Sequence, residues 1–325
     1  MIRFAVRPLR TTGSRAKGQQ HFILGVTVPT ILYAGLLGLF PVLWALLLMF
    51  FDYSPQRAGG GFLGLGGNNP FVGLLHFQNM FVGTDLPARM FRQSLFNTLV
   101  FAFAYLPLNL LITLPLASLI ESVTHGVKGI FRGIYFLPAV TTSVGVATIW
   151  RFMYEPRYGL VNSMITGLGG RPIAFLTDPH REVLGMSIAL WAVILAYLWQ
   201  DYGYNLVIFI AALQNIPKEL KEAAMIDGAG FWDTFRHITL PLLRPTVLFV
   251  CVMTMISSFQ VFDIIQVMTG GGPNNMTRVL QLDIYQNAFR FQNMGWAAAV
   301  SFVLLTIVLT ITLVQMRLLR TDWEY

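Results

Sequence analysis

Residues Ile216–Pro245 read IPKELKEAAMIDGAGFWDTFRHITLPLLRP, and they divide the chain's long apolar segments into two groups. Pro217 suits the first turn of a helix, where its missing N–H costs nothing, and Lys218 to Ala229 is made mostly of good helix formers. Leu220, Ala223, Ala224 and Asp227 recur at helical spacing, so a narrow small-residue face lies beside Lys221 and Glu222. Gly228 and Gly230 let the helix stop, and Pro241 and Pro245 set the start of the next segment. The pattern predicts a short helix lying across a surface, with small residues that let another backbone approach closely.

On either side the sequence turns apolar. Of 325 residues, 55% are hydrophobic and 11% charged, with a mean hydropathy of +0.62, whereas soluble domains carry about 25% charged residues. A helix needs roughly 20 apolar residues to cross a bilayer. Phe22 to Phe51, Ser94 to Ile120 and Phe291 to Met316 contain no Asp, Glu, Lys, Arg or His. Gly133 to Trp150 is uncharged between Arg132 and Arg151, whose stems can snorkel to two interfaces. Two further segments carry one carboxylate each, Asp201 and Asp263. The expectation is an all-α membrane protein with six spans, at about 22–51, 94–120, 133–153, 183–213, 245–268 and 291–316. A basic segment 1–21 precedes the membrane domain 22–317, a surface loop 214–244 joins its fourth and fifth spans, and 318–325 forms a tail. The first apolar run is too long for a signal-peptide core, so an uncleaved first helix is expected.

Lysine and arginine are retained on the cytoplasmic side. With both termini inside, every lysine of the chain (Lys17, Lys128, Lys218 and Lys221) falls on that side, together with Arg3, Arg7, Arg10, Arg15, Arg132, Arg236, Arg244, Arg317 and Arg320. This asymmetry accounts for the net charge of +7 without a nucleic-acid partner. The glycine-rich stretch from Gly59 to Gly67 has no Gly-Lys-Ser/Thr and so is no phosphate loop. The lone Cys251 gives neither a disulfide nor a metal site, and the common hydrolase strings HExxH and G-x-S-x-G are absent.

The stretch quoted above resembles the EAA motif of ABC-importer permeases: Glu222-Ala223-Ala224, then Gly228, then Ile238-Thr239-Leu240-Pro241. Asp227, Ala229 and Phe235 fit the carbohydrate branch, related to maltose and glycerol-3-phosphate permeases. FVGLLHFQNMF (Phe71–Phe81), FLPAV (Phe136–Val140) and MTGGGPNNMT (Met268–Thr277) agree with it. The resemblance implies the six-helix fold of type I importer permeases, in a bacterial or archaeal cell membrane. It implies that Glu222, Ala223, Ala224, Asp227 and Gly228 sit on a coupling helix docked in a separate ATPase subunit. It further implies two such subunits carrying ATP and Mg, a second and different permease chain, an extracytoplasmic solute-binding protein and a sugar-like solute. This chain would bind no cofactor and catalyse nothing. Aligned on those strings, the family's solute contacts fall at Ser143, at Gln200, Asp201 and Tyr204, and at Thr254 and Ser258; an acid at Asp201 departs from the smaller residue expected there.

Residues alone point the same way. An ionisable group within a span faces protein or an aqueous path. Gln200 and Asp201 share a helix face with Tyr204, as Thr254 does with Ser258. Carboxylate, amide, hydroxyl and aromatic groups together suit a sugar. The alternative is an ion-coupled secondary transporter using Asp201 and Asp263 as ion carriers, a class that often shows inverted repeats; none is visible here.

Overall fold

The computed structural model describes residues 13–57, 61, 64–123 and 125–318. Arg3, Arg7, Arg10 and the end of the tail from residue 319 lie outside them. Among the described residues, five helices are long and apolar enough to cross a membrane, or six if one bent pair counts as a single span.

The first span, Ile23–Leu48, runs from α1 (Gly13–Tyr33) through a π-helical stretch, Ala34–Leu39, into α2 (Phe40–Leu48). It stands against the bundle only at its far end, where Leu48 and Met49 are buried. Its flanks, such as Ile31 and Leu37, are exposed, as a side facing lipid or a partner helix must be. The loop that follows carries α3 (Leu75–Val82). Asn69, buried in that loop, accepts from the Ser54 N–H at 3.0 Å and donates to the Gly64 carbonyl at 2.9 Å.

The central element is α4 (Leu86–Ser122), about 55 Å long at 1.5 Å per residue. It begins earlier than the uncharged run predicts because Pro87 opens the helix well outside the hydrocarbon. Its faces enter three apolar clusters. Phe101 and Tyr105 pack with Val193, Ile194 and Ile265; Phe91 and Ala102 with Met255, Trp296 and Val300; Ala117 and Ile120 with Leu206, Phe209 and Val250.

The third predicted span is not one helix. α5 (His125–Phe136) passes through a 3-10 turn, Leu137–Val140, and the chain bends by 96° before α6 (Ser143–Met153). The sequence reading took the uncharged stretch as continuous and missed two breakers. Pro138 lacks an N–H, and Thr142 caps α6 by accepting from the Gly145 N–H at 3.3 Å. Arg132 pairs with Glu121 at the C-terminal end of α4, at 3.0 Å.

After α6 comes α7 (Leu160–Gly167). A two-stranded hairpin follows, β1 (Glu182–Val183) and β2 (Met186–Ser187), paired Glu182 to Ser187 and Val183 to Met186. The fourth span therefore starts later than expected, as α8 (Ile188–Gln214), capped by Ser187. Past the far end of α8 come α9 (Lys218–Ile226), α10 (Phe231–Thr234), a π turn at Phe235–Thr239 and α11 (Leu240–Leu242). The fifth span, Arg244–Met268, is broken into α12 (Arg244–Phe259) and α13 (Asp263–Met268). After the glycine turn, α14 (Leu280–Tyr285) and α15 (Met294–Leu318) complete the fold.

The end of the bundle that carries the hairpin is tied by side chains. Asn97 of α4 donates to the carbonyls of Asn275 and Arg278 at 2.9 and 2.8 Å, and the Leu280 N–H donates to Thr98 Oγ1 at 2.9 Å. Arg278, which the charge pattern places in a solvated outer loop, is buried and pairs with the buried Asp283 at 2.6 Å. Burial pushes the Asp283 carboxyl above the usual carboxylate range, with the guanidinium pulling the other way.

Candidate coupling surface and solute path

Helix α9 follows Pro217 and places Glu219 in its first turn, where an acid meets the positive end of the helix dipole. Its far end is a Schellman closure. The Ala229 N–H bonds the Ala224 carbonyl at 2.9 Å and the Gly228 N–H bonds the Met225 carbonyl at 3.1 Å. That closure requires a left-handed residue, and Gly228 takes φ +82°. Of the five residues singled out on this helix, Ala224 is buried against the body, while Glu222, Ala223, Asp227 and Gly228 are exposed.

Apolar side chains surround them without being covered. Ile226 is 86% exposed and Trp232 73%, beside Met225 and Phe231. Phe231, Trp232 and Phe235 form a small aromatic cluster with ring centroids 5.7 to 6.4 Å apart. Behind it, a groove of about 410 Å³ runs between the loop and the inner ends of α4 and α8, lined by Ser118, Leu213, Met225, Phe231, Phe235 and Thr239. Glu121 at the groove's edge holds Lys128 at 2.9 Å. Lys221 lines the same groove, so the lysines of two separate loops gather at one end of the molecule.

A second set of polar groups crosses the middle of the bundle. The Tyr105 hydroxyl of α4 donates to Asp201 Oδ2 on α8. Asn109 Nδ2 donates to the Tyr105 oxygen at 3.0 Å, and Asn205 Nδ2 donates to Asn109 Oδ1 at 2.8 Å and to Thr254 Oγ1 on α12 at 3.0 Å. Beside this chain, Gln200 Nε2 donates to the Thr141 carbonyl at 3.2 Å and to Ser143 Oγ at 3.0 Å, and the Tyr204 hydroxyl donates to the Ala139 carbonyl at 2.8 Å. These carbonyls belong to the bend between α5 and α6, where helical partners are lost and buried acceptors need donors. Gly203 lets α8 come that close: a Cβ there would stand 3.0 Å from the Tyr135 carbonyl oxygen and 3.0 Å from Ala139 Cβ.

Five of the six candidate path residues are thus brought together, Ser143, Gln200, Asp201, Tyr204 and Thr254. Ser258 is buried and donates to its own helix at Met255 O, 2.8 Å away. Asp263 is exposed in the first turn of α13, apart from the network. Tyr105, Asn109 and Asn205 were not singled out from the sequence. Their signal was present, since Tyr105 and Asn109 are polar residues four apart in an otherwise uncharged run, a spacing that puts both on one helix face. Chemically the set offers one carboxylate, amides and hydroxyls, with Tyr204 half exposed beside them. This suits a ligand rich in hydroxyl groups.

A multi-pass helical bundle with linked polar groups across its middle and an uncovered helix at one end fits a membrane transport subunit. The chain belongs to the family of binding-protein-dependent transport system inner membrane components, which matches residues 21–319. It is therefore a permease subunit of an ABC importer. It is 35% identical over 234 residues to a lactose transport system permease protein of Rhizobium radiobacter, covering 70% of this chain and 75% of that one. To a trehalose/maltose transport system permease protein of Thermococcus litoralis it is 33% identical over 251 residues, covering 77% and 80%. Among solved structures, a chain of a bacterial alginate ABC transporter in complex with an alginate pentasaccharide-bound periplasmic protein superposes with a TM-score of 0.77. That match is 23% identical and covers 94% of this chain and 96% of that one.

Proposed function

We propose that this permease carries a sugar or a related polyhydroxylated solute inward, as one half of a heterodimeric path driven by two ATPase subunits that hold ATP and Mg. The exposed small-residue face of α9, framed by Met225, Ile226 and Trp232, carries the coupling part of this reading. A helix that leaves Glu222, Ala223, Asp227 and Gly228 uncovered beside large apolar groups is shaped to be seated in a cleft of another protein. The gathered set Ser143, Gln200, Asp201, Tyr204 and Thr254 supports the solute part, and the two sugar permeases among the relatives agree with it. Ser258 joins the path only if its hydroxyl turns away from Met255.

In this reading both termini face the cytoplasm of a bacterial or archaeal cell. The grouping of Lys128 and Lys221 at the end that carries α9 supports that orientation. ATP draws the two ATPase subunits together, the pull on α9 turns the path outward to the binding protein, and hydrolysis resets it.

The test is co-expression with candidate ATPase subunits, comparing wild type with Glu222→Lys and Gly228→Asp. Both variants should insert normally yet lose ATPase in pull-down and lose ATP-driven uptake. Normal assembly and transport by both variants would remove α9 as the coupling element. Uptake by the chain alone that stops on gradient collapse, with ATP intact, would establish a secondary transporter instead.

A further inference from the structure

Asp201 sits in the middle of α8 and forms no ion pair among the described residues. Between Ser94 and Ile120, along the whole of α8, and from Thr246 to Met268 there is no Lys, Arg or His. Its hydrogen-bond partner among the described residues is the neutral Tyr105.

The direction of that bond is set by what stands behind it. The Tyr105 oxygen receives a proton from Asn109 Nδ2, an amide nitrogen that can only donate. The single phenol proton is therefore left for Asp201 Oδ2. Asn109 is held in turn, because its Oδ1 accepts from Asn205, whose second N–H goes to Thr254. Tyr105 cannot turn away: it is fully buried, with Tyr197 at 4.9 Å and Phe101 at 6.0 Å between ring centroids. Asp201 itself is only half buried. One carboxylate oxygen is pinned toward α4, and the other meets no donor among the described residues, which leaves an acceptor in the polar set. Gln200 adds a second acceptor there, since its Nε2 is engaged at the bend while its buried Oε1 meets no donor among the described residues.

We propose that Tyr105 is a positioning residue that fixes Asp201 as a cation-free acceptor, and that this gives the path a preference for neutral or amino-bearing sugars over acidic ones. This rests on the reading of Gln200, Asp201 and Tyr204 as part of the solute path. Two like charges within several ångströms in a partly buried site repel strongly enough to slow an anion by about tenfold or more. Hydroxyl and ammonium groups, in contrast, donate to both acceptors.

The experiment uses the whole importer in proteoliposomes with its binding protein, and three labelled disaccharides of equal size: maltose, a diglucosamine and a diuronate. The binding protein is the same in every arm, so a change in the uptake ratio between variants belongs to this chain. Wild type should move maltose and diglucosamine about tenfold faster than the diuronate. Asp201→Asn should collapse the diglucosamine-to-diuronate ratio toward one, and Asp201→Glu should retain it. Tyr105→Phe keeps the ring and should lower the same ratio about three- to tenfold through KM, with turnover kept. An unchanged ratio in Asp201→Asn would overturn the charge preference. A ratio that shifts in Asp201→Asn but not in Tyr105→Phe would overturn the positioning role. If either variant assembles poorly, the ratio in the fraction that assembles decides, because folding losses scale all three probes equally. A wild type that moves none of the three under ATP overturns the underlying assignment of the path, and this inference with it.

Discussion

Helix α9 and the middle turns of α8, from Gln200 to Asn205, carry the residues proposed for coupling and for the solute path, yet they are held in place by opposite means. α9 is a local object. Its start, its small-residue face and its closure at Gly228 are written within a dozen consecutive residues, and most of its side chains are exposed. The middle of α8 is the reverse: Asp201 and Asn205 are bonded to residues 96 positions earlier, and Asn205 also to Thr254, 49 positions later. A surface that waits for another protein can be specified locally. A polar group inside the bilayer must be satisfied by whichever helices the fold brings to it.

If that contrast is right, damage to α8 should spread through the bundle and damage to α9 should stay where it is made. The largest expected effect is Gly203→Val. Its added carbons meet the Tyr135 carbonyl and Ala139, at a cost of about 1–3 kcal/mol or more, so the detergent-purified protein should lose several degrees of thermal stability in a heating and size-exclusion assay. Next comes Asn205→Leu, which leaves Asn109 Oδ1 without its donor and should cost about 1–2 kcal/mol by the same assay, with transport reduced as α8 loosens from α12. Gly228→Ala should cost about 1 kcal/mol, but only within α9: the heating curve should match wild type while ATPase pull-down weakens. A lowered heating curve for this variant would mean that α9 is part of the bundle's cooperative unit, and the contrast would fail. The smallest effect belongs to Lys128→Ala, which breaks one largely buried ion pair to Glu121, 13% and 20% exposed, at about 1 kcal/mol because Arg132 still holds the carboxylate. It should show as a slight, salt-sensitive change in stability and none in uptake.

The same contrast explains what the sequence reveals. Uncharged or nearly uncharged length locates the first, fifth and sixth spans to within about three residues, because lipid imposes that length directly, while the second begins eight residues earlier and the fourth five residues later than expected. The break after α5 escapes it, since Pro138 and Thr142 lie within a run of ordinary apolar character and only the bend shows that they act together. Arg278 escapes for a related reason. A basic residue beside a glycine turn looks solvated until Asp283, five residues on, is seen folded back over it. The coupling face was legible because its physics is contained in one stretch. Tyr105, Asn109 and Asn205 were not, because each is an unremarkable polar residue whose partner is set by helix packing. Asp201 was found by its charge, but the group that orients it was not.

The 96° bend also bears on any attempt to retarget this permease to a new cargo. Gln200 and Tyr204 look like natural handles for altering specificity, yet each already donates to a carbonyl released where the chain turns, at Thr141 and Ala139. Replacing either with a non-donor would redesign the scaffold along with the ligand site, and a library randomised at both would be dominated by misfolded clones. Asp201 carries no such duty toward the bend. An engineer who wants to change what passes while keeping the machine intact should begin with that one side chain and leave its two neighbours their donors.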